Sequence, residues 1–134
     1  MEENNQDKQK IKQQMETLMN YFDKLSKYLK TNGSIGIGNR KLYDKKKIDD
    51  ILCCVEANIP VVFKKYADTY GNSNINIKTF KLQEQLIEYI RVKPPIGASS
   101  YLVNMTGALT TINKLKTAIP SDYIYILSNF PRLQ

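Results

Sequence analysis

Apolar residues in the first thirty positions fall at Ile11, Met15, Leu18, Phe22, Leu25 and Leu29, alternately four and three apart. This is a heptad seam held for nearly three repeats, and it predicts a long N-terminal amphipathic helix. Met19, Tyr21 and Tyr28 broaden the seam beyond a strict coiled-coil stripe, which predicts a bundle helix packed on several neighbours. The helix is expected to end at Asn32-Gly33, and the polar residues 1–8 to fray.

Beyond the glycine-rich stretch GSIGIGN, residues 33–39, a second helix begins at either Asn39 or Asp44, both good N-caps, and buries Ile48, Ile51, Leu52, Val55 and Ile59. Pro60 predicts a break near Asn58, with a further helix through Phe63, Tyr66 and Tyr70. After the polar turn 71–76, Phe80, Leu82, Leu86, Ile87, Tyr89 and Ile90 mark a helix that ends before Pro94-Pro95. Ser99 or Ser100 is expected to cap the next, whose stripe is Leu102, Met105, Leu109 and Ile112 and which Pro120 stops. In the last segment Ser121 can cap a short helix, while the alternation YIYIL suits a strand. A lone strand would have no partner among helices, so a short final helix is expected. The pattern predicts an all-α fold, a compact bundle of five to six helices in a single domain, 1–134.

Composition adds limits. The longest apolar runs, Ile59 to Phe63 and Tyr123 to Leu127, are five residues each, against the roughly 20 that a spanning helix needs. The N-terminal MEENNQDKQK has no apolar core of a secretory signal, so a cytoplasmic location and no membrane partner are expected. With no histidine, Ser-His and Cys-His pairs, HExxH sites and a histidine base are all excluded. The two cysteines, Cys53 and Cys54, are adjacent and read as small core residues in a reducing compartment. Asp49 with Asp50 and Glu84 with Glu88 are the paired carboxylates, but Glu-x-x-His partners are lacking, and they read as surface charges. Gly107 inside a predicted helix suggests a tight crossing. The sequon at Asn104 is expected to be unused on a helix. No enzyme activity, cofactor or metal is expected.

The net charge of +7 rests on 20 basic against 13 acidic residues, and all but Arg40, Arg91 and Arg132 of the basic ones are lysines. Phosphate readers lean on arginine forks, so a diffuse lysine surplus is weak support for a nucleic-acid partner. The densest cluster is Arg40, Lys41, Lys45, Lys46 and Lys47, directly after the glycines, with Lys64 and Lys65 beside Tyr66 and Tyr70 as a second pair that suits phosphates and bases. A helix starting at Asp44 puts three lysines against its macrodipole. One starting at Asn39 turns Lys45 and Lys46 into ordinary pairs with Asp49 and Asp50.

Two functions follow. The first is a non-enzymatic protein–protein interaction module, engaging a partner or a second copy along the seam Ile11, Met15, Leu18, Phe22, Leu25 and Leu29. The alternative is a sequence-independent nucleic-acid-binding subunit that uses the cluster at 40–47 with Lys64 and Lys65. Phe22→Ala separates core from seam: burial within the chain predicts a loss of about 3–5 kcal/mol in chemical denaturation. An unchanged melting temperature with loss of a dimer would assign the seam to an interface, and no change in either would refute its burial.

Overall fold

The computed structural model describes residues 2–71, 73–94 and 99–133, with side chains from residue 9 onward. The side chains of the stretch expected to fray, 1–8, therefore lie outside the described residues. Helix α1 spans Glu2–Thr31, strand β1 Arg40–Asp44, α2 Lys45–Ala57, α3 Val61–Tyr70, α4 Thr79–Ile90, β2 Ser100–Asn104 and α5 Met105–Asn129, followed by a 3-10 turn at Pro131–Leu133. Most of the described residues are helical, but the two strands pair, so the fold is mostly helical rather than all-α.

Strand pairing is the main departure from the periodic reading. β1 and β2 run antiparallel, with Leu42 opposite Leu102 and Tyr43 opposite Tyr101. Leu102, expected on a helix stripe, is a strand residue, and Arg40 to Asp44 precede α2 rather than opening it. Each strand feeds directly into a helix through a side-chain cap. Asp44 accepts from the Lys47 amide at 3.1 Å and Asn104 from the Gly107 amide at 2.9 Å, satisfying N–H groups that a helix start leaves open. The Asn39 start for α2 is thereby excluded.

The core forms one cluster. Leu18, Phe22, Leu25 and Leu29 of α1 are fully buried within the chain, together with Ile48, Leu52, Phe63, Tyr66, Ile90, Ile112, Leu115 and Ile126. Ile11 and Met15, nearer the start of α1, are partly buried at the edge of this cluster. α1 lies against α2 and α5, and α4 packs along α5. At Gly107 a Cβ would come within 2.7 Å of the Tyr89 ring, so the α4–α5 crossing needs the missing side chain. Tyr43 plugs the C-terminal end of α1, its hydroxyl donating to the Leu29 carbonyl and its ring 5.9 Å from that of Tyr28.

Pro120 does not stop α5, which continues unbroken to Asn129. The proline forfeits one bond, to the carbonyl of Lys116. Burial beyond it holds the helix on: Tyr123 and Ile126 enter the core, while Ile124 turns outward. A helical repeat thus wins over the strand-like alternation of YIYIL, and no separate final helix forms.

One carboxylate completes this arrangement. Asp122 Oδ2 accepts from the amides of Lys78 and Thr79, each at 2.9 Å, and from the Thr79 hydroxyl at 2.6 Å. α4 has no side-chain cap of its own and no acidic residue in its first turn. It is capped instead by α5, from more than forty residues along the chain. Replacing Asp122 by Ala strands these buried donors and is expected to cost about 2–3 kcal/mol. Urea denaturation measures this, and a shift within roughly 0.5 kcal/mol would show that the cap does not hold the helices together.

Candidate functional site

Three surfaces come into question, and the first is the glycine-rich segment. Residues after α1 fold back on β1: the Ser34 amide donates to the Leu42 carbonyl at 2.8 Å and the Leu42 amide to the Ser34 carbonyl at 3.3 Å. The Arg40 amide donates to the Ile37 carbonyl at 3.1 Å, closing a two-residue turn over Gly38 and Asn39. Gly38 has φ of 62°, while among the described residues no non-glycine residue has positive φ, matching a type II′ hairpin turn. Between these closures the first arm has one residue more than the second, so it carries a bulge. Gly36 sits in it, where a Cβ would lie 1.9 Å from the Arg40 carbonyl oxygen. The glycines therefore build a hairpin rather than a phosphate cradle. At its tip Ile35 is 94% exposed and Ile37 77% exposed.

The basic cluster following the tip does not form one face. Lys41 alternates with Arg40 along β1, and Lys45, Lys46 and Lys47 fan around the first turn of α2. Lys45 lies over the Tyr101 ring, its Nζ 5.8 Å from the centroid. The expected Lys45–Asp49 and Lys46–Asp50 pairs are not formed. Asp49 instead takes the Tyr101 hydroxyl at 2.9 Å and Arg91 Nε at 3.3 Å, which joins α2, α4 and β2. Among the described residues the ion pairs are Arg91–Asp49 and Lys116–Asp23, so Arg40, Lys41, Lys46 and Lys47 carry unpaired charge. Lys64 and Lys65 are exposed on α3, which packs on α5 and the final turn, and they are not gathered with residues 40–47. Tyr66, next to them, is a core residue rather than a stacking platform.

The second surface went unread in the sequence. An open groove of about 1150 Å³ runs between α4 and α5 and is closed at one side by residues 73–78. Lys78, Lys81 and Lys114 line it with Gln85, Asn113 and Thr117, and Asp122 contributes its only carboxylate. Its walls come from two separate segments, 73–85 and 110–122, so no local motif could reveal it. The third is a shallow depression of about 380 Å³ at the base of the hairpin, bounded by Tyr28, Ser34, Asp44 and Lys47.

The remaining candidates separate. Leu18, Phe22, Leu25 and Leu29 are wholly covered by the chain itself, which leaves no free seam for a partner at those positions. Glu84 and Glu88 are exposed, and among the described residues no three His, Cys, Asp or Glu side chains are placed to hold a metal ion. Cys53 is an exposed free thiol and Cys54 half-buried, so the reading of both as core residues fails at Cys53, which falls on the outer side of α2. Among the described residues no helix is long and apolar enough to cross a membrane.

Comparison with known protein families, curated proteins and solved structures found no match.

Five tyrosines are shifted by their surroundings. Burial raises the phenols of Tyr28, Tyr43, Tyr66, Tyr101 and Tyr123 above their ordinary value. At Tyr101 the Asp49 carboxylate adds to burial, while Arg91 opposes it. The folded state thus holds these protons more tightly than the unfolded chain. The stability they contribute is complete below about pH 10 and is lost as pH rises through the folded values. Denaturation midpoints measured from pH 8 to 11.5 are expected to hold up to about pH 10 and then fall. A midpoint that stays level throughout would contradict the burial.

Proposed function

We propose that this chain is a non-enzymatic interaction module, acting as one domain, that docks on a protein partner through the tip of the hairpin at residues 34–44. The exposure of Ile35 and Ile37 on a closed hairpin carries this reading. Single exposed apolar residues are normal, and Val61, Tyr70, Ile75 and Ile124 are distributed over other elements. Ile35 and Ile37 differ in being two residues apart on one arm, held by a bridge, a turn and a bulge. Burying two isoleucines stabilises a complex without the cost of ordering a flexible loop. Arg40 at the same tip, with Lys46 and Lys47 beyond it, favours a partner whose apolar pocket has an acidic rim. The exposed Cys53 thiol fits a reducing, cytoplasmic setting.

Self-association along α1 is not part of this proposal, because the central seam residues are internal. The alternative, a phosphate contact by residues 40–47 with Lys64 and Lys65, is supported by unpaired charge at Arg40, Lys41, Lys46 and Lys47. Their spread over several faces weakens it.

The test is the double variant Ile35→Ser, Ile37→Ser. Both side chains lie in solvent, so the denaturation midpoint is expected to stay within about 0.5 kcal/mol of wild type. Affinity purification from the native host is expected to recover a protein with the wild-type chain and to lose it, by tenfold or more, with the double variant. Equal recovery with both would refute docking through the tip.

A further inference from the structure

The groove between α4 and α5 lies outside the hairpin reading. Its cations have a distinctive setting. Lys78 and Lys81 stand at the first turn of α4, where positive charge opposes the macrodipole, and Lys114 faces them from α5. None of the three is in an ion pair among the described residues. The one lining carboxylate, Asp122, is 5% exposed, and its Oδ2 is committed to the start of α4. The lining thus sets three lysines against one carboxylate, and concave walls focus the net positive field.

Size and lining narrow the ligand. At about 1150 Å³ and open along its length, the groove exceeds the roughly 300–1,000 Å³ typical of small-molecule sites, which favours an extended ligand. Gln85 and Asn113 set amides between the lysines, and Asn76 adds one whose Nδ2 stands 3.5 Å from the Tyr125 hydroxyl. An amide presents a donor and an acceptor together, as a base edge does, whereas an acidic peptide side chain offers acceptors alone. Ile75, 88% exposed, stands on the wall formed by residues 73–78 as an apolar surface for a base. Behind that wall, Asn74 donates to the Tyr66 hydroxyl at 2.6 Å, which fixes it to the aromatic cluster.

We propose that this groove binds single-stranded nucleic acid, with Lys78, Lys81 and Lys114 contacting phosphates and Asn76, Gln85 and Asn113 contacting bases. A charged track interleaved with base-facing side chains is the arrangement that holds single strands. It moves the nucleic-acid reading away from residues 40–47.

The full-length chain is titrated into fluorescently labelled U12 and dT12 oligonucleotides at salt concentrations from about 50 to 200 mM, followed by anisotropy. Wild type is expected to bind at least one of them. The variant K78Q/K81Q/K114Q is expected to bind at least tenfold more weakly at about 50 mM salt. It is also expected to flatten the log affinity against log salt slope by about 2, from roughly 0.7 per lost single-strand contact. The equal-charge control K12Q/K24Q/K27Q, on exposed positions of α1, is expected to lose less than threefold. Circular dichroism confirms that all variants fold. The proposal is overturned by absence of binding at about 50 mM salt, by equal losses in the groove and control variants, or by a loss confined to K45Q/K46Q/K47Q. Competition by a glutamate 12-mer as effective as unlabelled oligonucleotide would also overturn it, since the groove would then read charge alone.

Discussion

The pairing of β1 with β2 is the constraint on which the other features depend. Five residues on each side, joined from Arg40–Asn104 to Asp44–Ser100, tie together two stretches of chain separated by three helices. Because each strand ends in a capping residue, the ladder also fixes where α2 and α5 begin and in which direction they leave. It seats Tyr43 against the end of α1 and Tyr101 beneath Lys45 and beside Asp49. The short arm at Ser34 adds to the outer edge of β1, while the Leu102 amide donates to the Val92 carbonyl at 2.8 Å on the far side of β2. Both edges of a two-stranded ribbon are thereby engaged, and the ribbon gains the support that an isolated hairpin lacks.

Asp122 does at the opposite end of α5 what the ribbon does at its start. A proline two residues earlier deprives the helix of a bond, and a break there would swing Asp122 away from α4. The first turn of α4 would then keep Lys78 and Lys81 with no opposing charge. Continuing α5 through Pro120 is consistent with the combined gain from Tyr123 and Ile126 in the core and from three hydrogen bonds to one carboxylate oxygen. The helix pair that results forms the long walls of the groove, so the same cap that secures α4 also sets the spacing across which Lys81 and Lys114 face each other.

How much could be read from the residues depended on how local the signal was. The seam of α1 is local, and its burial at Leu18, Phe22, Leu25 and Leu29 follows from spacing alone. The break at Pro60 and the halt before Pro94 rest on proline's fixed geometry, and α2 ends, α3 begins and α4 ends accordingly. The strands are too short to show a period, and Leu42 and Leu102 become neighbours only through a pairing across sixty positions. Pro120 reads as a stop because its cost is local, while the Asp122 contacts that come with an unbroken α5 span more than forty positions. The candidate surfaces follow the same rule. The glycines at 33–38 stand out in the sequence, but the bulge and turn that require them do not. The groove has no sequence signature, since the rest of α4 and the whole of β2 lie between Lys81 and Lys114.

The surplus of basic residues divides by what each side chain does. A lysine-rich sequence is what A/T-rich codons would supply, so the total of +7 carries little information about partners. Placement carries more. Arg91 and Lys116 are spent on Asp49 and Asp23, and Lys45 on an aromatic face, so these serve to hold elements together. Lys78, Lys81 and Lys114 have no such partner and stand around a concavity, where each added charge raises the repulsion felt by the others. Arg40, Lys46 and Lys47 are equally unpaired but flank a convex apolar tip. A convex surface with two isoleucines complements a pocket, whereas a concave one with cations and amides complements a flexible polyanion. The two surfaces therefore differ in the shape and charge of the ligand each would complement.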